Sequence, residues 1–294
     1  MKFLDQILHI RPGFGGFDFT YEKSDVVFLG VPMDMTSSYR SGYRFAPAKI
    51  REASANLETY VPSVGVDVFE TLNITDLGDL ILVPTDMEES GRRIADVVKE
   101  ISKDGKLPFL LGGEHTLSYF SAKALGSGFV VHLDAHRDLR DDYMGNKVCH
   151  ATVMRRILDF LPPDRLVQIG VRSWSKEEAE FLDKNSITSF SPSDVMDDPI
   201  KVARDVEELA MDRKVYITID LDIVDPAFAP GVATPEPGGP STFQVMQLLK
   251  GLGGLNLAGC DVVELVPPHD DGTTAFVAAR LIYELLGAIS KESL

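Results

Sequence analysis

The chain contains 294 residues, of which 44% are hydrophobic and 25% are charged, and its formal net charge at pH 7 is -16. This composition predicts a globular protein with a large core, and the acidity argues against a nucleic-acid partner, which would require a basic surface. The only cysteines, Cys149 and Cys260, form no CxxC pair and are too few for a disulfide framework.

The N-terminal segment MKFLDQILHIRPG interrupts its apolar residues with Asp5 and His9. No uncharged apolar run reaches the length of about 18 residues that a membrane helix needs. We therefore expect a cytoplasmic protein without a membrane partner. The glycine-rich stretch RPGFGGF at 11–17 predicts a loop, and His9 and His269 are expected to be ordinary surface or loop histidines.

Strand-like and helix-like segments alternate along the rest of the chain. The strand-like runs lie at 25–32, 107–113, 128–135, 164–171, 187–190, 214–222 and 257–267. The helix-like segments lie at 47–57, 88–104, 116–125, 151–160, 176–184, 198–212, 241–252 and 273–290. Apolar strands alternating with helices are typical of a parallel sheet that is covered on both faces. No repeat or linker divides the chain, so residues 1–294 are predicted to form one domain.

Polar side chains collect where several of these strands end. GGEH, DAHRD and DLD follow three of them, and Glu264 lies near the end of the last. The carboxyl ends of parallel strands meet at one edge of the sheet, where sites form. Side chains two apart on a strand also point the same way, which would align Asp134, His136 and Asp138. The predicted cluster consists of His115, Asp134, His136, Asp138, Asp220 and Asp222.

Four members of this cluster are carboxylates, which would repel one another unless cations compensate their charge. Two divalent metal ions supply +4 against -4, so we expect two ions rather than one. Oxygen-rich ligation without a thiolate favours Mn²⁺, although the spacing also permits Zn²⁺, Co²⁺, Ni²⁺ or Fe²⁺. A metal pair activates water near neutral pH, and the sequence has no Walker A or GxGxxG motif and no nucleophilic Ser or Cys beside a base. The predicted reaction is therefore a hydrolysis.

Three segments resemble, in order and separation, the signatures of the ureohydrolase family, which includes arginases and agmatinases. They are LLGGEHTLS at 110–118, VVHLDAHRDL at 130–139 and ITIDLDIVDPAFAPGVATPEPGG at 217–239. DVVELVPPHD at 261–270 extends the resemblance over most of the chain. The resemblance implies a three-layer α/β/α sandwich with a mostly parallel sheet, two Mn²⁺ ions per chain, and assembly into homotrimers or hexamers.

The resemblance also implies a role for each residue of the site. It places His115, Asp134, Asp138 and Asp220 around one manganese ion, and His136, Asp134, Asp220 and Asp222 around the other. Asp138 would also orient the activated water, and Glu264 would pair with the substrate guanidinium. His150 would contact the substrate or shuttle protons to the leaving amine, which would depart together with urea.

The substrate depends on the residues that follow Asp138, where the pattern by which arginases recognise their substrate is missing. Asp141 and Asp142 are expected to receive a distal ammonium group, which favours agmatine, hydrolysed to putrescine and urea. N1-aminopropylagmatine satisfies the same argument. Arg137 and Arg140 would instead favour a carboxylate such as guanidinobutyrate if they faced the cleft, and the sequence leaves their orientation open.

Two other classes of protein are weighed against this interpretation. Histone-deacetylase-like enzymes share the broad fold but keep a single catalytic metal, and the six candidate ligands argue against them. A noncatalytic metal-bound assembly protein would be expected to have lost a ligand or Glu264. His132 precedes Asp134 by two residues and is interpreted as a hydrogen-bonding or packing residue that supports the ligands.

Overall fold

A computed structural model describes residues 5–8, 12–16 and 19–292 of the chain. The prediction for His9 lies outside the described residues, as do both ends of the loop predicted at 11–17. His269 is exposed in a short 3-10 turn, Pro267–His269.

The described residues include a large sheet and a small hairpin. The strands are β1 (Ile7–Leu8), β2 (Val26–Gly30), β3 (Tyr60–Val61), β4 (Val66–Asp67), β5 (Ile74–Leu80), β6 (Leu107–Leu111), β7 (Phe129–Leu133), β8 (Leu166–Ile169), β9 (Thr188–Phe190), β10 (Val215–Asp220) and β11 (Leu257–Val263). The nine strands of the large sheet follow the order β1-β5-β2-β6-β11-β10-β7-β8-β9. Only β1 runs antiparallel to its neighbour in that sheet, and β3 pairs with β4 as the separate hairpin.

Helices cover both faces of the large sheet. They are α1 (Ala46–Ser54), α2 (Val68–Thr71), α3 (Met87–Lys103), α4 (Leu117–Leu125), α5 (Val153–Ile157), α6 (Lys176–Leu182), α7 (Pro192–Asp197), α8 (Pro199–Ala210), α9 (Thr242–Lys250) and α10 (Thr273–Glu292). Phe28 of β2 packs in a core with helices α1, α8, α9 and α10, whereas its neighbours Val27 and Leu29 pack on the other face with α3. The predicted three-layer fold with a mostly parallel sheet is confirmed.

Helix α10 is long and apolar enough to cross a membrane by length and composition alone. However, 78% of the segment Thr273–Ser290 is buried inside the protein. Leu281, Leu285 and Leu286 of this helix belong to the largest hydrophobic core. The burial is that of a core helix, and its apolar composition follows from packing against the sheet.

The seven predicted strands and eight predicted helices are all present, with shifted ends. The sequence prediction missed the seven-residue strand β5 and the short elements β1, β3, β4, α2 and α7. Asp76, Gly78 and Asp79 break the apolar pattern of β5. Arg51 of α1 donates to both carboxylate oxygens of Asp76, at 2.7 and 2.9 Å, and to Asp79 at 2.6 Å. These three charged residues, called the Arg51 cluster below, let a strand with two acidic residues enter the sheet because a guanidinium compensates their charge.

Candidate metal centre and active site

The site residues follow four strands that are neighbours in the sheet, in the order β6-β11-β10-β7. His115 comes shortly after β6, Asp134 directly after β7, and Glu264 directly after β11, while Asp220 is the last residue of β10. The structure therefore brings the predicted strand ends together at one edge, as the parallel topology requires. Asp134, Asp138, Asp220 and Asp222 are called the carboxylate cluster below.

His115 is fully buried and faces three members of this cluster. Its Nε2 lies 2.9 Å from the Thr218 hydroxyl, which leaves Nδ1 to point the other way. Nδ1 lies 3.2 Å from Asp134 Oδ2 and 3.3 Å from both Asp138 Oδ2 and Asp220 Oδ2. Although buried, Nδ1 has no hydrogen-bond partner among the described residues. A nitrogen with three carboxylate oxygens within 3.3 Å of it offers a donor set for a metal ion.

A second set of donors shares Asp134 with the first. His136 Nδ1 lies 2.8 Å from Asp222 Oδ2 and 3.5 Å from Asp134 Oδ1, so the two oxygens of Asp134 face different histidines. The ligand atoms of Asp134, His136 and Asp222 lie within 4.8 Å of one another, as do those of His115, His132, Asp134 and Asp138. The shared carboxylate suits a residue that bridges two cations.

Electrostatics in the carboxylate cluster are unfavourable without added cations. Burial, together with the charges of Asp222 and Asp134, raises the pKa of Asp220 well above its usual range. Burial and the neighbouring Asp134 raise the pKa of Asp138 to about 7. No lysine or arginine in the described part of the chain forms an ion pair with any of the four carboxylates. The residues therefore fit cations supplied from outside the chain.

His132 is placed to support Asp134 rather than to bind a metal. Gln168 uses its Oε1 to accept from Arg137 and its Nε2 to donate to the Arg137 carbonyl, which fixes the orientation of the amide. The same Nε2 lies 3.0 Å from His132 Nδ1, so Nδ1 accepts. His132 Nε2 then carries the proton and donates to Asp134 Oδ2 at 2.7 Å. Both ring nitrogens are thus in use.

The backbone is strained at two of the site residues. Asp138 has φ 54° and Glu264 has φ 70°, values that residues other than glycine rarely adopt. Strand β7 ends at Leu133, so Asp138 lies in a loop and not on the strand. The prediction that strand alternation brings Asp138 beside Asp134 and His136 was wrong. Asp138 lies beyond the strand, and its left-handed backbone conformation directs its side chain instead. Such strain concentrates at functional sites.

Glu264 is buried beside the cluster. Its Oε1 accepts a 2.7 Å hydrogen bond from the His115 backbone N–H, and burial raises its pKa to about 8. His150 lies nearby in the same cleft, where burial and the charges of His115 and His136 lower its pKa to about 4. The cleft encloses about 260 Å³. Its lining includes Ser38, His115, His136, Asp138, Arg140, Tyr143, His150, Ser173, Trp174, Glu178, Asp220, Asp222, Thr234 and Glu264.

Asp141 and Asp142, expected to contact the substrate, do not line this cleft. Arg156 donates to Asp141 Oδ1 at 2.7 Å, and Asp142 Oδ1 accepts from the Gly145 backbone N–H at 2.9 Å. Their carboxylates are therefore held by a neighbouring arginine and by a turn. This geometry gives no support to their predicted role as receivers of a distal ammonium group.

The orientations of the two arginines differ. Arg137 is almost fully buried and donates to Gln168 and Ser189, away from the cleft. Arg140 lines the cleft, with its guanidinium 5.1 Å from the centre of the Tyr143 ring. Its Nε lies 3.9 Å from Glu178 Oε2.

Sequence reasoning did not identify Tyr143, Trp174 and Glu178 as cleft residues. Each comes from a loop or helix whose path the strand pattern does not determine. The only tryptophan of the chain, Trp174, is 49% exposed, and this is the one available signal because large exposed aromatic side chains are enriched at binding surfaces.

Comparison with known proteins identifies the family. The model of the arginase family matches residues 24–287. The chain belongs to the arginase family. Proteins of this family are metal-dependent hydrolases of guanidino compounds, so the predicted ureohydrolase resemblance and the predicted enzyme class are confirmed.

Individual relatives of this arginase-family protein cover nearly the whole chain. It is 37% identical over 272 residues to a guanidinobutyrase of Pseudomonas aeruginosa, which covers 89% of this chain and 85% of the relative. It is 36% identical over 273 residues to an agmatinase of Bacillus subtilis, covering 90% and 92%. The solved structure of an agmatine ureohydrolase of Thermoplasma volcanium superposes with a TM-score of 0.89 at 38% identity, covering 100% and 99% of the two chains.

Proposed function

We propose that this protein hydrolyses agmatine to putrescine and urea with two Mn²⁺ ions per chain. The observation that carries the proposal is the unpartnered Nδ1 of buried His115, which faces three carboxylate oxygens at 3.2–3.3 Å. Among the described residues, no lysine or arginine pairs with the carboxylate cluster, and Glu264, which suits a guanidinium, lies in the same cleft.

In this proposal each cation would have one histidine and three carboxylates. One would be held by His115, Asp134, Asp138 and Asp220, and the other by His136, Asp134, Asp220 and Asp222. The oxygen-rich set without a thiolate favours Mn²⁺. When bound, the two cations make an activated water available near neutral pH.

Side chains of the protein bind the substrate, orient the water and supply the proton. Glu264 accepts N–H groups of the substrate guanidinium, and the His115 N–H holds its Oε1 in place. Asp138 accepts a hydrogen bond from the attacking water and thereby orients it. Breaking the bond between the guanidinium carbon and the chain nitrogen leaves that nitrogen in need of a proton, which His150 delivers.

The distal end of the substrate decides between close alternatives. Agmatine is supported by the similarity to an agmatinase and an agmatine ureohydrolase. N1-aminopropylagmatine carries the same guanidinium on a longer chain. Glu178 does not separate the two, because its carboxylate already accepts from Leu139 and Ser175. Guanidinobutyrate is favoured by one specific observation, the guanidinium of Arg140 in the cleft lining, and by the similarity to a guanidinobutyrase.

The deciding experiment measures urea release by Mn²⁺-loaded protein from agmatine, N1-aminopropylagmatine, guanidinobutyrate and arginine, with metal content determined on the same sample. We expect agmatine to give the highest kcat/KM at two metals per chain. Arg140→Gln serves as the matched variant, because it removes the charge but keeps a polar side chain. If wild type prefers guanidinobutyrate and Arg140→Gln loses that preference, the substrate is a guanidino acid. Absence of urea from all four compounds would overturn the proposal.

We also propose that the protein is a cytoplasmic homotrimer or homohexamer that acts in polyamine biosynthesis without a nucleic-acid or membrane partner. The acidic composition and the resemblance to ureohydrolases support this assignment. Light scattering coupled to size-exclusion chromatography tests the assembly, and a monomer at micromolar concentration would contradict it.

A further inference from the structure

Glu114 is a buried carboxylate next to His115 that the proposed reaction does not use. Its Oε2 accepts from the backbone N–H groups of Met35 and Thr36, at 2.6 and 2.7 Å. Its Oε1 accepts from the hydroxyls of Thr36 and Thr116, both at 2.8 Å. Four donors converge on one fully buried side chain, and three of them come from the segment 35–36. Glu114 therefore fixes the position of that segment.

The Thr36 hydroxyl connects Glu114 to His150. A hydroxyl has a single proton, and Thr36 gives that proton to Glu114. Towards His150 it can only accept, and Thr36 Oγ1 lies 3.2 Å from His150 Nδ1 and 3.3 Å from the His150 backbone nitrogen. Nδ1 must then carry a proton. The other ring nitrogen, Nε2, lies 3.2 Å from the Ser38 hydroxyl, and both Ser38 and His150 line the cleft.

We propose that Thr36 and Glu114 are positioning residues that hold His150 in the tautomer with its proton on Nδ1, so that Nε2 exchanges protons with the reaction. This inference rests on the proposed function, in which His150 protonates the leaving amine. Nε2 takes up a proton that the attacking water releases, and this Nε2–H bond breaks as the new N–H bond of the amine forms. The Nδ1 proton stays in its hydrogen bond to Thr36 throughout.

The arrangement has a physical consequence for the charged ring. The imidazolium donates from Nδ1 to the Thr36 oxygen, while the Thr36 hydroxyl donates to the Glu114 carboxylate. The last acceptor in this series of hydrogen bonds is the Glu114 carboxylate, which backbone N–H groups already hold in place. A ring held in this way presents Nε2 in one orientation and in one protonation pattern. In serine proteases a carboxylate holds the catalytic histidine similarly, and the wrong tautomer costs about 10⁴-fold in kcat.

The first test compares Thr36→Val with Thr36→Ser. Valine keeps the shape but removes the hydroxyl, so we expect kcat for agmatine to fall about 10²-fold with KM changed less than about threefold. Serine keeps the hydroxyl and should restore kcat to within a few-fold of wild type. Metal content should stay at the wild-type value in both variants. Wild-type kcat in Thr36→Val, or an equal loss in Thr36→Ser, would overturn the proposal.

Thr116→Val provides the matched control. It removes a 2.8 Å hydroxyl bond to the same Glu114 oxygen, whereas the hydrogen bonds to His150 come from Thr36 and Ser38. We expect a clearly smaller loss of kcat than in Thr36→Val. An equal loss, with equal metal content, would show that loosening Glu114 accounts for both effects and would overturn the tautomer assignment.

The tautomer itself is measured on wild type, independently of turnover. Long-range ¹⁵N–¹H correlation spectra of ¹⁵N-histidine protein loaded with diamagnetic Zn²⁺ distinguish a protonated Nδ1 from a protonated Nε2. The His150 signals are identified by their loss in His150→Asn. We expect neutral His150 to be protonated on Nδ1, and protonation on Nε2 would refute the inference. If wild type releases no urea but shows the Nδ1 tautomer, the proposed function fails while the positioning role stands.

Discussion

Two groups of buried or partly buried carboxylates belong to the same protein, and their charges are compensated in different ways. In the Arg51 cluster, a guanidinium from α1 meets Asp76 and Asp79 at 2.6–2.9 Å. In the carboxylate cluster, the described residues supply no arginine or lysine, and the buried Nδ1 of His115 has no hydrogen-bond partner. A buried acid whose counter-ion is part of the chain indicates a structural element. A group of buried acids without one indicates a place for a cation from outside.

The largest expected effect comes from removing a shared ligand. Asp134→Ala and Asp220→Ala should each reduce kcat for urea release at least about 10³-fold and lower the metal content, because each carboxylate is proposed to contact both ions. Steady-state kinetics and metal analysis on the purified variants check this. Full activity in either variant would mean that the cluster is not the metal centre.

Breaking the Arg51 cluster should act on folding instead. Arg51→Met leaves two acids without their guanidinium and should lower the free energy of unfolding by about 3–5 kcal/mol. Added Mn²⁺ should stabilise the variant no more than it stabilises wild type, because the Arg51 cluster is not a metal site. Urea denaturation with and without Mn²⁺ measures both effects. Selective rescue of the variant by Mn²⁺ would erase the distinction between the two clusters.

The pH dependence of stability should differ between metal-free and metal-loaded protein. Folding raises the pKa of Asp138 to about 7 and of Glu264 to about 8, so these two groups bind more protons in the folded metal-free protein than in the unfolded chain between about pH 4 and pH 8. Their contribution to stability should therefore fall as pH rises through that window. His150, whose pKa is lowered to about 4, acts in the opposite direction only below about pH 6.5.

With Mn²⁺ the trend should reverse, because metal binding requires deprotonated ligands and strengthens as pH rises. Thermal unfolding from pH 5 to pH 8, in EDTA and in Mn²⁺, measures the two slopes. Asp138→Asn is the control, since it keeps the shape but cannot titrate and should flatten the metal-free slope. A metal-free protein that gains stability with pH would contradict the compensation argument.

Glu264 belongs to neither group of carboxylates. It is a buried acid that is not a proposed metal ligand and forms no ion pair with an arginine among the described residues. Glu264→Gln should leave metal content intact, raise KM and lower kcat/KM about 10- to 100-fold, the loss expected for one charge-assisted hydrogen bond. Kinetics with agmatine at saturating Mn²⁺ check this. Unchanged kinetics would remove Glu264 from the substrate site.

The sequence predicted most of the sheet and the residues at its edge. Parallel topology alone brings His115, Asp134 and Asp220 together, since β6, β7 and β10 end at the same edge. The sequence prediction failed for β5. Asp76 and Asp79 are not expected in a buried strand, and only the structure shows that Arg51 compensates their charge. An ion pair between residues 25 apart leaves no periodic signal in the sequence.

The mouth of the cleft was predicted less well, for a different reason. Arg140 and Asp141 are adjacent in the sequence, yet the first lines the cleft and the second pairs with Arg156. Which of two neighbouring loop residues faces a cavity depends on partners such as Arg156 of α5 and on local turns. Residue spacing contains no information about either.

The hydrogen bond from the His115 backbone N–H to Glu264 Oε1 has a thermodynamic consequence. In the proposed reaction, Nδ1 of His115 binds a metal ion and Glu264 binds the guanidinium, so this hydrogen bond connects the two binding sites. Coupling of this kind is reciprocal, because any factor by which metal strengthens substrate binding must equally be the factor by which substrate strengthens metal binding. Where that factor exceeds one, the protein holds its cations more firmly with substrate bound than without it.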